Sequence, residues 1–468
     1  MHEYAMTVDG HAVEGAKFFP VINPATGSPF AEAPECTPQQ LDDAIEAAER
    51  AFGSWRQDEA RRRKALRDCA PAIRNQADLL ARILTREQGK PLEKAIGEVG
   101  ETASFFEEVA GQSIPCDILK DDTQERIEVR RKPFGVVAAI LPWNFPLMMA
   151  AWKIGQALLT GNTMVLKPSP YTPLSTLKMG EFLLDVLPHG VLNIISGGND
   201  LGAVITTNPF VRKISFTGSV ATGKKIARAA AADLKHVTLE LGGNDPAIVL
   251  PDVDIDRIAE EVFWNAFNNC GQACIAIKRV YVHEDIYPKM VEALVNQARK
   301  AKMGDGFDPA VQIGPLNNRM QFERVFDLVD DAKRCGARMA IGGNPRPGSG
   351  YFFEPTIVKD ISDGTRLVDE EQFGPVLPVL PYRDIEDALK RANATHYGLG
   401  GSIWTNDLDR GIELAAKLEC GTGWVNQHST LDFSVPFGGT KWSGIGHELG
   451  SWGLEGYTQL QVVRAAKG

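Results

Sequence analysis

The sequence predicts an α/β fold built on doubly wound parallel sheets, and three observations predict it. Between 162 and 241, short apolar runs (Thr163–Lys167, Val191–Ile195, Lys213–Phe216, Val237–Leu241) alternate with helical stretches. This βαβαβ order belongs to a parallel sheet whose ligands bind at the strand C-termini. A second alternation follows, from a strand at 246–250 and a helix at 254–268 through Arg279–His283 to about 420. The chain has 468 residues, 44% apolar and 24% charged. That is roughly three domains at about 150 residues each, enough to bury a core without disulfide or metal staples.

In chain order, the N-terminus MHEYAMTVDGH lacks the charged-then-apolar layout of a secretory signal, and no apolar run approaches the ~18 residues of a membrane span. Thr37, Pro38 and Gln40 form a capping box, after which Leu41, Ile45, Ala48 and Phe52 recur at helical spacing. Further helical patterns cover 60–88 and 91–110. At 125–131, ERIEVRR alternates apolar and polar, which suggests a half-solvated or edge strand suited to subunit pairing. After Lys132-Pro133 comes the continuous run Val136–Leu141. In the helix expected at 172–187, Leu177, Gly180, Leu184 and Leu187 share a stripe, and 221–233 is an Ala-rich helical stretch.

Composition excludes several classes. The net charge of −10 makes nucleic acid a poor partner, and the basic run Arg61–Lys64 reads as a solvated helix face. Seven scattered cysteines, an odd number, indicate a reduced cytoplasmic protein. No GxGxxG, GxxxxGK[ST], HExxH or GxSxG occurs. Cys270 and Cys274 lack a second Cys/His pair at zinc spacing, so no metal is expected.

Four segments place polar residues in apolar or Gly-rich surroundings. In FNNCGQACIAIKR (267–279), Cys274 follows a Gly-containing turn between helix and strand. It is either an exposed nucleophile or a small buried hydrophobe. In VTLELGGNDPAIV (237–249), Glu240 sits in an apolar strand, as a general base of raised pKa or as a paired structural carboxylate. In LPWNFPLMMAAW (141–152), Asn144 is a rigid amide donor fit for an oxyanion, or a turn residue satisfying its own backbone. In FTGSVATGKKI (216–226), Gly218, Ser219 and Gly223 open a helix after a strand, a weak signal for pyrophosphate binding.

Together, in this order, these segments resemble the aldehyde dehydrogenase superfamily, NAD(P)-dependent enzymes that oxidise aldehydes to carboxylic acids. KPSPYTP (167–173), EEQFGPV (370–376) and PFGGTKWSGIGHELG (436–450) match as well, so the likeness runs from about Asn23-Pro24-Ala25-Thr26-Gly27 to the C-terminal region. The resemblance implies Cys274 as nucleophile, Glu240 as general base and Asn144 as oxyanion-stabilising amide. It implies Lys167 at the adenosine ribose, Ser169 and Pro170 as cofactor-binding beside it, and Ser219 in the Gly218–Gly223 turn at the pyrophosphate. Glu371 and Phe373 would position the nicotinamide ribose and ring, and Trp143, Leu241 and Gly242 are implied as further cofactor-binding residues. Pro170 stands where many NAD-preferring members carry a glutamate. NADP therefore stays open, and NAD is slightly favoured because no arginine nearby invites a 2′-phosphate.

The positions implied for the substrate tunnel, Phe145, Met149, Trp152 and Phe437, are all apolar. They favour an uncharged aliphatic or aromatic aldehyde. Alternatives are a semialdehyde substrate or a CoA-acylating enzyme, although members of the latter type usually lack the glutamate matching Glu240. Cys270 is read as mainly structural, and His428 and Asp432 as either polar groups near the tunnel mouth or ordinary loop residues. The expected organisation is a dinucleotide-binding domain (1–114 and 134–240), a catalytic domain (241–436) and an oligomerisation arm (115–133 and 453–468). In that arm a last strand near 456–466 joins the 115–133 hairpin. The resemblance implies a homodimer or homotetramer and no metal.

Overall fold

A computed structural model describes residues 3–467. Its first sheet has eight strands. Five are parallel, in the order His236–Glu240, Val211–Thr217, Val136–Ile140, Thr163–Lys167, Leu192–Ile194. Antiparallel pieces close the edges: Gly444–Ile445 beside His236–Glu240, and Met6–Val8 with His11–Val13 beyond Leu192–Ile194. Winding runs one way from Val136–Ile140 to Leu192–Ile194, then restarts on the other side at Val211–Thr217. The loops leaving those two central strands therefore diverge and open a crevice.

The second sheet has seven strands: Arg338–Ile341, Thr356–Lys359, Val376–Tyr382, Ile277–His283, Asp245–Val249, Gly400–Trp404 and Thr422–Val425. All are parallel except the first. Each sheet has its own core, with Val136–Ala139 and Ala247–Val249 at 0% exposure. Such strands read as unbroken apolar runs because helices cover both faces. Only residues 241–244 join Glu240, at the C-terminal edge of the first sheet, to Asp245, at the N-terminal edge of the second.

The capping box at Thr37 is formed, and the helix Pro38–Trp55 follows it. The pattern at 60–88 is two helices, Glu59–Arg74 and Ala77–Gln88. Pro71 cannot donate within the first, which ends one turn later at Asn75–Gln76. Both helices bury the same side, so the periodicity runs through the break. Of the stretch 172–187 only Leu174–Phe182 is α-helical, and turns carry the chain on to Leu187. The helix Asn199–Thr207 and the hairpin Lys17–Asn23 with Ser28–Glu35 carried no strong sequence signal.

The strand expected at an edge, Glu125–Pro133, is central in a three-stranded sheet, between Cys116–Asp121 and Thr458–Ala466. Its alternation reports a half-solvated face, whereas the free edges belong to the flanking strands. Among the described residues no helix is long and apolar enough to cross a membrane.

Candidate active site

The expected cofactor residues on the first sheet lie at or beyond the C-terminal ends of parallel strands. Beyond Val136–Ile140 runs the loop holding Trp143, Asn144 and Phe145, then the helix Pro146–Leu159 with proline at its first turn. Beyond Thr163–Lys167 come Ser169, buried, and Pro170, half-buried. Lys167 is 2% exposed, yet its ammonium donates to the Pro168 carbonyl at a long 3.3 Å. Burial lowers its pKa to about 8. Beyond Val211–Thr217, Gly218 N–H donates to the Glu240 carbonyl at 3.0 Å, and Ser219 caps the helix Val220–Ala231. That cap is exposed and no acidic residue occupies the first turn, so its N–H groups favour an anion. Gly223 N–H bonds back to the Ser219 carbonyl, at 2.9 Å.

The second sheet supplies the opposite wall. The Glu371 carboxylate accepts from Gly243 N–H at 3.0 Å and lies 3.6 Å from the Lys278 ammonium. A Cβ on Gly242 would fall 2.1 Å from this carboxylate, so only glycine allows the backbone so close. Phe373 has φ +48° and presents its ring edge-on to Trp143, with centroids 5.3 Å apart. Both rings are half-buried. An underused buried ammonium, a helix N-terminus, a carboxylate over a glycine backbone and two half-buried rings fit a dinucleotide.

Cys274 lies on the turn between the helix Ile255–Phe267 and the strand Ile277–His283. Ahead of it, Asn269, Cys270 and Gly271 take successive φ values of 51°, 59° and 71°. Left-handed backbone costs a non-glycine residue about 1–2 kcal/mol, least for asparagine. The turn is braced: Asn269 Nδ2 donates to the carbonyls of Asn144 and Gln272, and Gln272 Oε1 accepts from Asn317 N–H at 2.8 Å. Asn144 Nδ2 also donates to the Gln272 carbonyl, at 3.1 Å. Lys278 donates to the carbonyls of Ala273 and Cys274, both at 2.9 Å.

The Cys274 side chain is half-buried, while Cys270 is 1% exposed. Desolvation pushes the Cys274 thiol up to about 12, with Lys278 opposing and Glu240, Asp245 and Glu371 adding to it. Glu240 is buried, and neither carboxylate oxygen has a protein partner among the described residues. Burial raises its pKa well above the ordinary range, Glu448 adds to this and Lys153 opposes. Glu448 and Lys153 form a fully buried pair at 2.5 Å, joined to Ser215, which accepts from the Tyr457 hydroxyl at 3.0 Å.

Of the expected tunnel residues, Phe145 is half-buried, whereas Met149, Trp152 and Phe437 are 8%, 1% and 4% exposed. Trp152 and Phe437 meet edge-on at 5.9 Å, and Phe105 links Trp152 to Phe433. Met148, Leu431 and Phe433 are half-buried on the same core as Cys274. These three, with Lys90, Glu98, Asn269 and Gln272, escaped the sequence reading. A charged residue that turns out buried leaves no periodic trace in its helix. His428 is buried behind the nucleophile turn, its Nε2 2.9 Å from the Ile275 carbonyl, and Asp432 is exposed in a turn with Ser434. Among the described residues no group of three His, Cys, Asp or Glu could hold a metal.

Comparison with known proteins accords with this geometry. Residues 12–463 match the model of the aldehyde dehydrogenase family. Retinaldehyde dehydrogenase 3 of Homo sapiens is 40% identical over 468 residues, covering 97% of this chain and 90% of its own. The NAD+ complex of an aldehyde dehydrogenase from Bacillus cereus superimposes with TM-score 0.97 at 38% identity, covering 99% of this chain and 96% of that one. An NADP-dependent enzyme of E. coli gives 0.96 at 37%, covering 99% and 98%. The chain belongs to the aldehyde dehydrogenase family and is an NAD(P)-dependent enzyme of aldehyde oxidation.

Proposed function

We propose that the protein oxidises an uncharged aliphatic or aromatic aldehyde to the carboxylic acid through a covalent adduct on Cys274. The observation that carries this reading is the meeting of two sheet edges. It brings a half-buried thiol, a buried carboxyl with no protein partner among the described residues and a braced amide to one crevice. The ionised fraction of Cys274, its thiol proton released to solvent, adds to the carbonyl carbon. One Asn144 N–H is held by Gln272 and the other remains to meet the oxyanion, with the Cys274 backbone N–H beside it. The bound dinucleotide supplies the hydride acceptor. Lys167, Ser169 and Pro170 would hold its adenosine ribose, Gly218, Ser219 and Gly223 its pyrophosphate. Trp143, Leu241, Gly242, Glu371 and Phe373 would hold its nicotinamide half. Loss of hydride from the adduct leaves a thioester on Cys274. The ionised fraction of Glu240 takes a proton from a water that attacks this thioester, releasing the acid and the thiolate.

Phe145, Met148, Leu431 and Phe433, half-buried apolar side chains on the same core as Cys274, support the substrate class, as does the human relative's retinaldehyde. We read residues 1–114 and 134–240 as the dinucleotide-binding domain and 241–436 as the catalytic domain. Residues 115–133 and 453–468 form an oligomerisation arm of a homodimer or homotetramer. Seven free cysteines, two of them exposed, suit the reducing cytoplasm. The test is absorbance at 340 nm with NAD or NADP and hexanal, benzaldehyde or succinate semialdehyde. Wild type should reduce cofactor with the first two aldehydes, and Cys274→Ala with none. Preference for the semialdehyde would overturn the substrate class, and a requirement for CoA would overturn the role of Glu240.

A further inference from the structure

The geometry points to the buried Lys90–Glu98 pair as the clamp that positions Asn144, an inference that rests on the oxyanion role proposed above. Lys90 lies in the turn between the helices Ala77–Gln88 and Leu92–Gly111, and Glu98 lies within the second. Their side chains are each 2% exposed and meet at 2.5 Å. Lys90 Nζ also donates to the Asn144 carbonyl at 3.0 Å and stands 4.0 Å from the centre of the Phe145 ring. Glu98 Oε1 accepts from the N–H groups of Leu147 and Met148, at 3.1 and 3.3 Å. The chain is thus gripped at the Asn144 carbonyl and at the first helical N–H groups after Phe145.

Charges this deep lose their hydration, and apolar residues of similar volume often replace such a pair without loss of stability. An apolar pair would, however, leave the Asn144 carbonyl with Asn269 alone and two helix N–H groups unmet. What the charged pair supplies is direction. The Lys90 backbone N–H is in turn fixed by Gln88 Oε1 at 2.9 Å, and its buried ammonium is held between the Glu98 carboxylate and the Asn144 carbonyl. Lys90 and Glu98 need not touch substrate. They are positioning residues, acting through the Asn144 backbone on where its amide stands.

The test is a double-mutant cycle on the pre-steady-state burst at 340 nm, with the full-length enzyme, NAD and hexanal. Lys90→Met/Glu98→Gln removes both charges, while the glutamine amide oxygen keeps an acceptor for Leu147 and Met148. Its burst should slow on the order of tenfold to hundredfold, the cost of a reacting group displaced by about an ångström. Asn144→Ala should slow it about 10²–10³-fold. The triple variant should match Asn144→Ala within about twofold, because a clamp without its amide has nothing left to place. Alkylation of Cys274 by iodoacetamide, which needs no oxyanion donor, should stay at the wild-type rate throughout. A collapsed site would change that rate. Should the double variant not fold, Lys90→Arg serves the same cycle, since it keeps the charge but shifts the donor from the Asn144 carbonyl. Multiplicative losses in the triple variant, or a wild-type burst in the double variant, would overturn the clamp. A wild-type burst in Asn144→Ala would instead overturn the oxyanion role, and the clamp with it.

Discussion

Glu240 and Cys274 are both held in their neutral forms by desolvation, and this sets how each responds to pH. A buried carboxyl of raised pKa keeps its proton in the folded state after the unfolded chain has lost it near pH 4.3. The folded state then binds more protons, so wild-type stability falls as pH rises above the unfolded value. Glu240→Gln removes this penalty. Its melting temperature should exceed that of wild type by a margin that widens from pH 5 to pH 8 in calorimetry, and an equal margin at both would refute the assignment. In catalysis the same variant should retain a burst of hydride transfer while steady turnover falls about 10²-fold or more, because only thioester hydrolysis needs the base. The thiol, raised to about 12, reacts through its ionised fraction. Iodoacetamide alkylation without cofactor should therefore accelerate steadily from pH 6 to pH 9, with no plateau near 7.

The turn Asn268–Gly271 concentrates backbone strain beside the nucleophile, and its residue types were visible while its conformation was not. Asn269 both tolerates the left-handed conformation and ties two carbonyls with one amide. Asn269→Ala should cost about 2 kcal/mol in urea unfolding, for strain plus unmet buried carbonyls. A loss below a few tenths would show that the turn holds itself. The elements around this turn differ in how plainly the sequence announces them. Parallel strands such as Thr163–Lys167 announce themselves as apolar runs, and Thr37–Gln40 as a capping box, because each signal lies within a few residues. Cys274, Glu240 and Asn144 stood out as polar residues in apolar segments. Lys90 and Glu98 did not, since their burial depends on a helix some 50 residues away in sequence closing over them. Likewise the break at Asn75–Gln76 is hidden by two helices that bury one common side.

At the scale of the whole molecule, the site exists because the C-terminal edge of one sheet abuts the N-terminal edge of the other across four residues, 241–244. Nothing in that arrangement requires the small sheet of Cys116–Asp121, Glu125–Pro133 and Thr458–Ala466, whose two outer strands are free edges. Those edges display Ile118, Leu119, Leu460 and Val462 at 53–68% exposure. Exposed apolar strands of this kind invite pairing with another chain unless charge or cover blunts them. The flanking charges do not blunt them, because Arg464 pairs with Glu125 and Lys467 with Asp121 inside the same sheet. On the homo-oligomer proposed above, a second copy of the chain covers them through an interface closed by a twofold axis. Leu460→Lys with Val462→Glu should therefore lower the solution mass by light scattering toward that of one chain. The burst of a chain still folded should survive, because every residue assigned to the crevice belongs to the same chain. If the wild type already runs as a monomer, or the variant keeps its full mass, the arm has some other task. If mass and burst fall together, the arm supports the crevice from the neighbouring subunit and the site is not the property of one chain.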